Sequence, residues 1–381
     1  MNWHVLNRFF KFPILLLTSS LIFTSFSFAA PIDDANQAYG FGNYKLAKDL
    51  YQPLAEAGDA EAQTNLAQIY NKDDSLLRDL PKAAYWFTKA AEQGVPLAQA
   101  NLAAMYLYGE GVEQDLWRAV DWMLKSANQG YALAQNNLGI MYRDALGVNR
   151  NYEQALKWFE LAADQGYKPA FNNVAMMYRE GKGVSKNRYE VIRMYRKGAD
   201  LGDPEFMLKL AQFYFSVEPK DYKEAIVWLS KPELENNPVA IENIGVIWGM
   251  PDNEERDYAK SLEYIKKSAE MGHVNAQLNT GIIYYKGLGV PVNYQNAYDW
   301  FLKAAKQKEP IAQFYLKEIY SKGQGRKKDL VKAQVWENLS FENGVSAGLR
   351  DSFLHELKPK QKEQVVQLID QCKGTKFEKC D

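Results

Sequence analysis

Apolar positions recur along this chain in short blocks, and the blocks themselves recur. In residues 151–166 apolar side chains fall at Tyr152, Ala155, Trp158, Phe159 and Ala162, the spacing of one buried helical stripe. An Asp or Asn precedes the block, and that position returns nine times: Asn43, Asp79, Asp115, Asn151, Asn187, Asp221, Asp257, Asn293 and Asp329, in seven steps of 36 residues and one of 34. A short side-chain acceptor there takes a first-turn backbone N–H that has no partner inside the helix. Four residues on comes a small or β-branched residue (Ala47, Ala83, Ala119, Ala155, Val191, Ala225, Ser261, Ala297, Ala333). Eleven further on comes Gly58, Gly94, Gly130, Gly166, Gly202, Gly272 or Gly344, replaced by Asn236 and Lys308 in two blocks. Gly, and after it Asn, enters the left-handed conformation at least cost, so this helix, B, is predicted to end there, with Asn236 taking the glycine's part.

A second helical block, A, follows at once. Ala62, Ala98, Ala134, Ala170, Ala240, Ala276 and Ala312 form one column, broken by Phe206. Eight positions on stands Tyr70, Tyr106, Tyr142, Tyr178, Tyr214, Trp248, Tyr284 or Tyr320, and four before it Leu66, Leu102, Leu138, Val174, Leu210, Ile244, Thr280 or Leu316. Small residues let helices approach and large ones interlock with the next block. The A–B loop carries two glycines in Gly109-Glu-Gly-Val, Gly181-Lys-Gly-Val, Gly287-Leu-Gly-Val and Gly323-Gln-Gly-Arg, while Ala145-Leu-Gly-Val keeps the second. Self-similarity at this period predicts a solenoid of stacked helix pairs.

These columns resemble the Sel1-like repeats, relatives of the tetratricopeptide repeat with a longer, glycine-bearing A–B loop. Residues 131–166 look close to that family's ideal unit. The resemblance covers residues 59–344 as eight units (59–94, 95–130, 131–166, 167–202, 203–236, 237–272, 273–308, 309–344), with 30–58 a shorter tetratricopeptide-like opening pair. It implies an all-α fold, a right-handed α/α superhelix, and a role as adaptor or scaffold. It implies no shared catalytic residues.

The chain begins with a basic stretch without acids, followed by an apolar run from Phe12 to Phe28 that closes on Ser27-Phe28-Ala29-Ala30-Pro31. This pattern predicts a secretory signal, 1–29, cut after Ala29. The alternative, an uncleaved anchor, needs about 20 strongly apolar residues, and this run is short and rich in hydroxyls. No Cys lies near the cut to carry a lipid. Localisation is therefore expected to be periplasmic or secreted, with no membrane span after cleavage. Losing Arg8 and Lys11 takes the net charge from −1 to −3, near neutral, which argues against nucleic acid as a partner. Aromatics reach 13 %, and core packing is expected to absorb them: Trp86, Trp122, Trp158, Trp228, Trp300 and Trp336 share one helix B column. The two cysteines, Cys372 and Cys380, stand in the tail 372–381. Export makes a disulfide the favoured reading; free thiols or a metal pair are the alternatives.

Catalytic signatures are missing from the sequence. His273 and His355 have no neighbours at metal-ligand spacing, and neither His-Glu-x-x-His nor Cys-x-x-Cys occurs. Gly181-Lys-Gly-Val lacks the spacing and the Ser or Thr of a phosphate loop. Asp73-Asp74, Glu254-Glu255 and Arg326-Lys327-Lys328 read as solvated loop charge. The sequon at Asn338 falls inside the last helix B and is expected to pack. No cofactor, metal or catalytic residue is expected.

Two places invite function. Residues 203–257 are irregular: the unit loses two residues between Tyr214 and Asp221, Pro232 interrupts its helix B, and Gly249-Met-Pro-Asp-Asn-Glu-Glu-Arg lacks the glycine pair. A change of curvature is expected there, serving a function or marking a drifted repeat. The second place is the concave face that solenoids offer to extended partners. Helical phase puts positions six and ten of each A helix on it, giving Asn136, Ile140, Asn172, Met176, Leu208, Gln212, Glu242, Val246, Phe314 and Glu318 as candidate contacts, alongside Thr64, Gln68, Ala100, Ala104, Leu278 and Ile282. Residues 345–371 are expected to form two capping helices split at Pro359. The leading function is an exported scaffold that binds a protein or extended peptide, in envelope assembly or host contact. A carbohydrate-binding scaffold for an exported polysaccharide is the alternative. An enzyme acting on cell wall or β-lactam is least supported, because the relatives for which that is claimed carry paired cysteines in each repeat.

Overall fold

The computed structural model describes residues 31–72, 76–344, 353–375, 377 and 380. The expected signal 1–29, the Asp73-Asp74 pair and residues 345–352 lie outside the described residues. Among those described the regular structure is helical, without strands. They divide into two compact units, Met1–Met141 with Ala145–Asn149 and Tyr142–Asp144 with Arg150–Asp381. The first contains α1 (Pro31–Gly40), α2 (Tyr44–Glu56), α3 (Ala60–Asn71), α4 (Leu80–Glu92), α5 (Pro96–Tyr108), α6 (Leu116–Asn128) and most of α7 (Ala132–Asp144). The second contains α8 (Tyr152–Asp164), α9 (Lys168–Glu180), α10 (Arg188–Asp200), α11 (Pro204–Ser216), α12 (Tyr222–Leu229), α13 (Pro238–Gly249), α14 (Tyr258–Glu270), α15 (Val274–Lys286), α16 (Tyr294–Lys306), α17 (Pro310–Lys322), α18 (Leu330–Glu342) and α19 (Pro359–Gly374). From α2 to α18 even numbers are B helices and α3 to α17 odd numbers are A helices, with α13 and α14 again an A–B pair.

Each Asp or Asn of the cap column stands one residue before a B helix and accepts a first-turn N–H. Asn43 takes that of Leu46, Asp79 that of Lys82, Asn151 that of Gln154, Asp221 that of Glu224 and Asn293 that of Asn296. Asp115, Asn187, Asp257 and Asp329 each take two. The same residues do a second job that their side chains do not announce. Their own backbone N–H groups donate to the carbonyls of the aromatic column: Asp79 to Tyr70, Asp115 to Tyr106, Asn151 to Tyr142, Asn187 to Tyr178, Asp257 to Trp248, Asn293 to Tyr284 and Asp329 to Tyr320, at 2.8–3.1 Å. The A–B loop is thus closed by a backbone bond and a side-chain bond at one residue. Asp221 keeps its bond to Tyr214 at 2.8 Å even where the loop is two residues shorter.

The end of helix B follows the glycine column with two informative departures. Lys308 stands at the glycine's place with φ +67°. A lysine held there costs roughly 1–2 kcal/mol relative to an ordinary conformation. Part of that returns when glycine's greater freedom in the unfolded chain is counted, so Lys308→Gly should raise stability by about 0.5–1 kcal/mol, read as a higher urea midpoint at unchanged slope. A midpoint at or below the parent's would count against this backbone assignment. Asn236 does not take the glycine's part, contrary to expectation. Its helix, α12, stops at Leu229, a 3-10 turn over Pro232–Leu234 follows, and Leu234 is buried where the next helical turn would have packed. Pro232 moves the turn forward and removes the need for a left-handed residue later.

Within each unit the core lies between the A and B helices. One buried B-helix column stands one residue after the tryptophan column: Phe87, Met123, Phe159, Tyr195, Leu229, Ile265 and Phe301. Trp336 is fully buried, but Trp122 and Trp158 are half exposed, so core packing does not absorb every tryptophan. Phe206, the intruder in the alanine column, sits over Gly198 of α10, where any Cβ would overlap its ring, and meets Phe171 edge-on with centroids 5.8 Å apart. Volume added in α11 is removed in α10.

A buried glutamine series stitches neighbouring pairs. Gln63, Gln99, Gln135, Gln277 and Gln313 each donate an Nε2–H to the carbonyl eight residues back, at the frayed end of the preceding B helix. The Oε1 atoms of Gln63, Gln99 and Gln277 accept from Gln93, Gln129 and Gln307 at the end of the next B helix, at 2.7–2.9 Å, and Asn343 serves Gln313 at 3.0 Å. Each rung satisfies buried carbonyls that would otherwise cost about 1–3 kcal/mol. At Phe171, Met207 and Ile241 the glutamine is absent.

At the C-terminal end Pro359 opens α19, whose Val365 and Cys372 join Leu357, Phe377 and Cys380 against Trp336 and Leu339 of α18. α19 is preceded by a 3-10 turn over Phe353–His355, and the first of the two expected capping helices falls largely outside the described residues. Cys372 and Cys380 are bonded, both buried, with Cα atoms 4.6 Å apart. Asn338 is half-buried in α18, its Oδ1 taken by Gln334 at 3.0 Å.

Candidate functional site

Neighbouring A helices contact one another through side chains on one face. In the second unit Lys209 of α11 donates to Asn172 Oδ1 of α9 at 2.9 Å, Asn279 of α15 donates to Glu242 of α13 at 2.7 Å, and Tyr285 of α15 meets Tyr315 of α17 edge-on at 5.2 Å. The expected contact residues fall on or beside this face, but not uniformly. Ile140, Asn172, Met176, Leu208, Val246, Phe314 and Glu318 are half-buried, and Gln212 is exposed. Asn136 and Glu242 are buried, at 4 % and 6 % exposure, which corrects their placement on an open surface. Position six of the A helix lies at the seam with its neighbour, so its exposure depends on what that neighbour carries. Thr64, Ala100 and Leu278 at the same position are also buried.

The open face belongs as much to position seven, which the sequence reading passed over. Asn65, Asn101, Asn137, Asn173, Asn243 and Asn279 occupy it, with Lys209 and Tyr315 in the other two A helices, and all six asparagines are half-buried. The 36-residue recurrence of Asn was the available signal. A side-chain amide carries both donors and an acceptor, as a peptide group does. Several are held in fixed orientation: Asn65 Nδ2 donates to Tyr51 Oη and Asn36 Oδ1 at 3.2 Å, Asn101 Nδ2 to the Leu97 carbonyl at 2.8 Å, and Arg143 Nη1 donates to Asn173 Oδ1 at 3.2 Å.

Around Glu242 the face has a built electrostatic feature. His273 Nδ1 lies 2.8 Å from Glu242 Oε2, and Asn279 donates to Oε1. Burial pushes the Glu242 carboxyl above its usual range, against the pull of His273 and Asn279. At the far end Glu318 takes the Lys317 ammonium at 2.7 Å and also pairs with Lys322, while Lys317 Nζ lies 4.3 Å from the Phe314 ring. The irregular loops are pinned to each other: Asp252 accepts from Lys220 at 2.5 Å and Tyr222 at 2.6 Å, and these partners hold its carboxyl down at about 2. Glu255 pairs with Lys223 at 3.1 Å, so this acidic run is partly neutralised. Among the described residues no group of three or more His, Cys, Asp or Glu side chains is placed to hold a metal ion, and no helix is long and apolar enough to cross a membrane.

The model of the Sel1 repeat matches residues 37–59, 60–95, 96–131, 132–167, 170–203, 204–231, 240–273, 274–309 and 310–344, well over half of the chain. The chain belongs to the Sel1 repeat family. Nine Sel1 repeats are matched where eight were expected, because the opening pair, read as tetratricopeptide-like, is itself one of them. The match lapses over 232–239, where Pro232 and the 3-10 turn replace the end of helix B. This Sel1 repeat protein is similar to two solved structures across nearly its whole length. One is a protective antigen present in uropathogenic Escherichia coli strains and displaying an SLR fold: 26 % identity, TM-score 0.53, covering 92 % of this chain and 95 % of that one. The other is a Sel1 repeat protein from Oxalobacter formigenes: 24 % identity, TM-score 0.60, covering 89 % and 94 %. No curated protein matches the chain in sequence. The fold is that of a scaffold whose repeats mediate protein interactions.

Proposed function

We propose that this Sel1 repeat protein is exported and binds extended polypeptide partners along its A-helix face, in envelope assembly or contact with a host cell. The observation that carries the reading is the A-helix face of the second unit, where half-buried Met176, Val246 and Ile282 stand one turn from the amides of Asn173, Asn243 and Asn279. Apolar side chains give area to bury, and fixed amides give donors and acceptors that match a peptide main chain. Export rests on the basic, then apolar, then small-residue pattern of residues 1–29. Host contact draws support from the similarity to a protein described as a protective antigen of uropathogenic strains.

The test has two arms. Expressed with its own N-terminus in a Gram-negative host, the protein should appear in the periplasm or medium with a mature end at Ala30; a full-length cytoplasmic product would remove export. Met176→Arg combined with Leu208→Arg should cut capture of a specific partner from envelope or host-cell extract at least tenfold, while Tyr189→Ala on the B-helix side leaves it unchanged. An identical partner set in all three proteins would overturn the A-helix face as the binding surface.

A further inference from the structure

Where the repeat departs from its own pattern, the A-helix face opens into a pocket. The thirteenth position of the A helix carries a long side chain in Leu107, Arg143, Arg179, Phe215 and Tyr285, but in α13 it is Gly249. The small column of the following B helix, alanine in most repeats, is Ser261 in α14. Between α13, α14 and α15 this leaves a cavity of about 310 Å³ open to solvent. Val246, Ile282 and the buried Ser261 and Ile265 line it, with the more exposed Tyr258 and Leu288. No charged side chain lines it. Asn279 supplies its side-chain amide at the edge. The Nδ2 of that amide is committed to Glu242 at 2.7 Å, and Glu242 Oε2 lies 2.8 Å from His273 Nδ1. The orientation of the amide is therefore set, with Oδ1 left to accept.

We propose that this pocket anchors one bulky apolar side chain, aromatic or branched aliphatic, of an extended polypeptide, while Asn279 Oδ1 accepts a main-chain N–H beside it. The proposal rests on the reading of the A-helix face as a protein-binding surface and names the side-chain class it selects. The volume stands at the floor of the range for ligand pockets, roughly 300–1,000 Å³, so the site admits a single side chain and not a cofactor. A sugar would leave its hydroxyls facing Val246, Ile265 and Ile282 without partners, which is costly. An anion would find no cation in the lining. The pocket also accounts for Gly249: an ordinary long residue there would fill the space.

The experiment is methyl NMR on the mature chain, titrated with N-acetyl-L-phenylalaninamide, N-acetyl-L-leucinamide and, as a control, N-acetyl-L-argininamide. The first two should give saturable shifts at the methyls of Val246, Ile265 and Ile282, and the third none. Gly249→Leu restores the side chain that Leu107 provides in its own repeat. Gly249 lies in a helix, and a Cβ there would come nearest the rotatable Ser261 hydroxyl, at 2.8 Å, so the variant should fold. It should weaken both apolar probes at least tenfold, and the half-buried Ile282→Ser should weaken them as well. No saturable shift, equal binding by Gly249→Leu, or equal binding of the arginine probe would overturn the pocket. Should the probes fail while Met176→Arg with Leu208→Arg still abolishes partner capture, the anchor falls and the A-helix face stands.

Discussion

Phe301→Ala should lower the stability of the second unit by about 3–5 kcal/mol, the range for removing a fully buried aromatic. Phe301 has no exposed surface. Its ring stacks on Tyr315 of α17 with centroids 4.6 Å apart and planes 2° from parallel, and touches Tyr285 of α15 edge-on at 6.1 Å. Gly281 of α15 exists for this ring, since a Cβ there would overlap it. One side chain thus joins two A helices to the B helix between them, and neither partner can move in without losing its other contacts. Urea unfolding followed by far-UV circular dichroism gives the measurement. A loss below about 1 kcal/mol would mean that the site collapses around the gap, against the packing described. Because repeats unfold through nearest-neighbour terms, the second unit's transition should shift and the first unit's should not.

Gly183→Ala should cost roughly 2–4 kcal/mol, the sum of two separate penalties. The backbone at Gly183 has φ +71°, which an L side chain rarely adopts. A Cβ there would lie 2.5 Å from the carbonyl carbon of Tyr152 and 2.7 Å from Glu153 N, the first turn of the preceding B helix. Backbone cannot rotate aside as a side-chain tip can. The same approach recurs at Gly111 over Leu80, Gly147 over Leu116 and Gly325 over Tyr294, which makes the second loop glycine a docking point between repeats. The first loop glycine is more tolerant: Ala145 occupies that place with φ +63°. Gly181→Ala should therefore be milder than Gly183→Ala when the two are compared by thermal melting. Equal losses would show that conformation alone, and not contact, sets the cost.

Much of this fold is legible in one sequence because a repeat states its rules nine times. The cap column, the alanine and aromatic columns and the break at Pro232 each have a local physical cause, and each lies where periodicity placed it. What escaped needed knowledge of neighbours. Glutamine at 63, 99 and 277 looks like a surface residue until the carbonyl eight positions back and the amide thirty positions ahead are known to converge on it. Phe206 looked like an irregularity, but Gly198 had already made room for it. Asn136 and Glu242 were assigned to open surface by phase alone, although position six is a seam whose exposure the adjacent helix decides. The asparagines of position seven recur as regularly as the core columns, and periodicity alone does not separate a recurring surface residue from a recurring core one.

The glutamine rungs have a consequence for how the molecule comes apart. Fasteners that join nearest neighbours make strength a local property, and the run from Phe171 through Met207 to Ile241 lacks them. Heat, a pulling force or a protease should find its first purchase there, within the second unit, before the amide-stitched repeats on either side yield. Amide protons of α9 to α13 would then exchange early, and limited digestion would leave two resistant halves parted near residue 232. The same stretch adjoins the pocket beside Gly249, so the part of the chain most ready to breathe borders the part best shaped to grip.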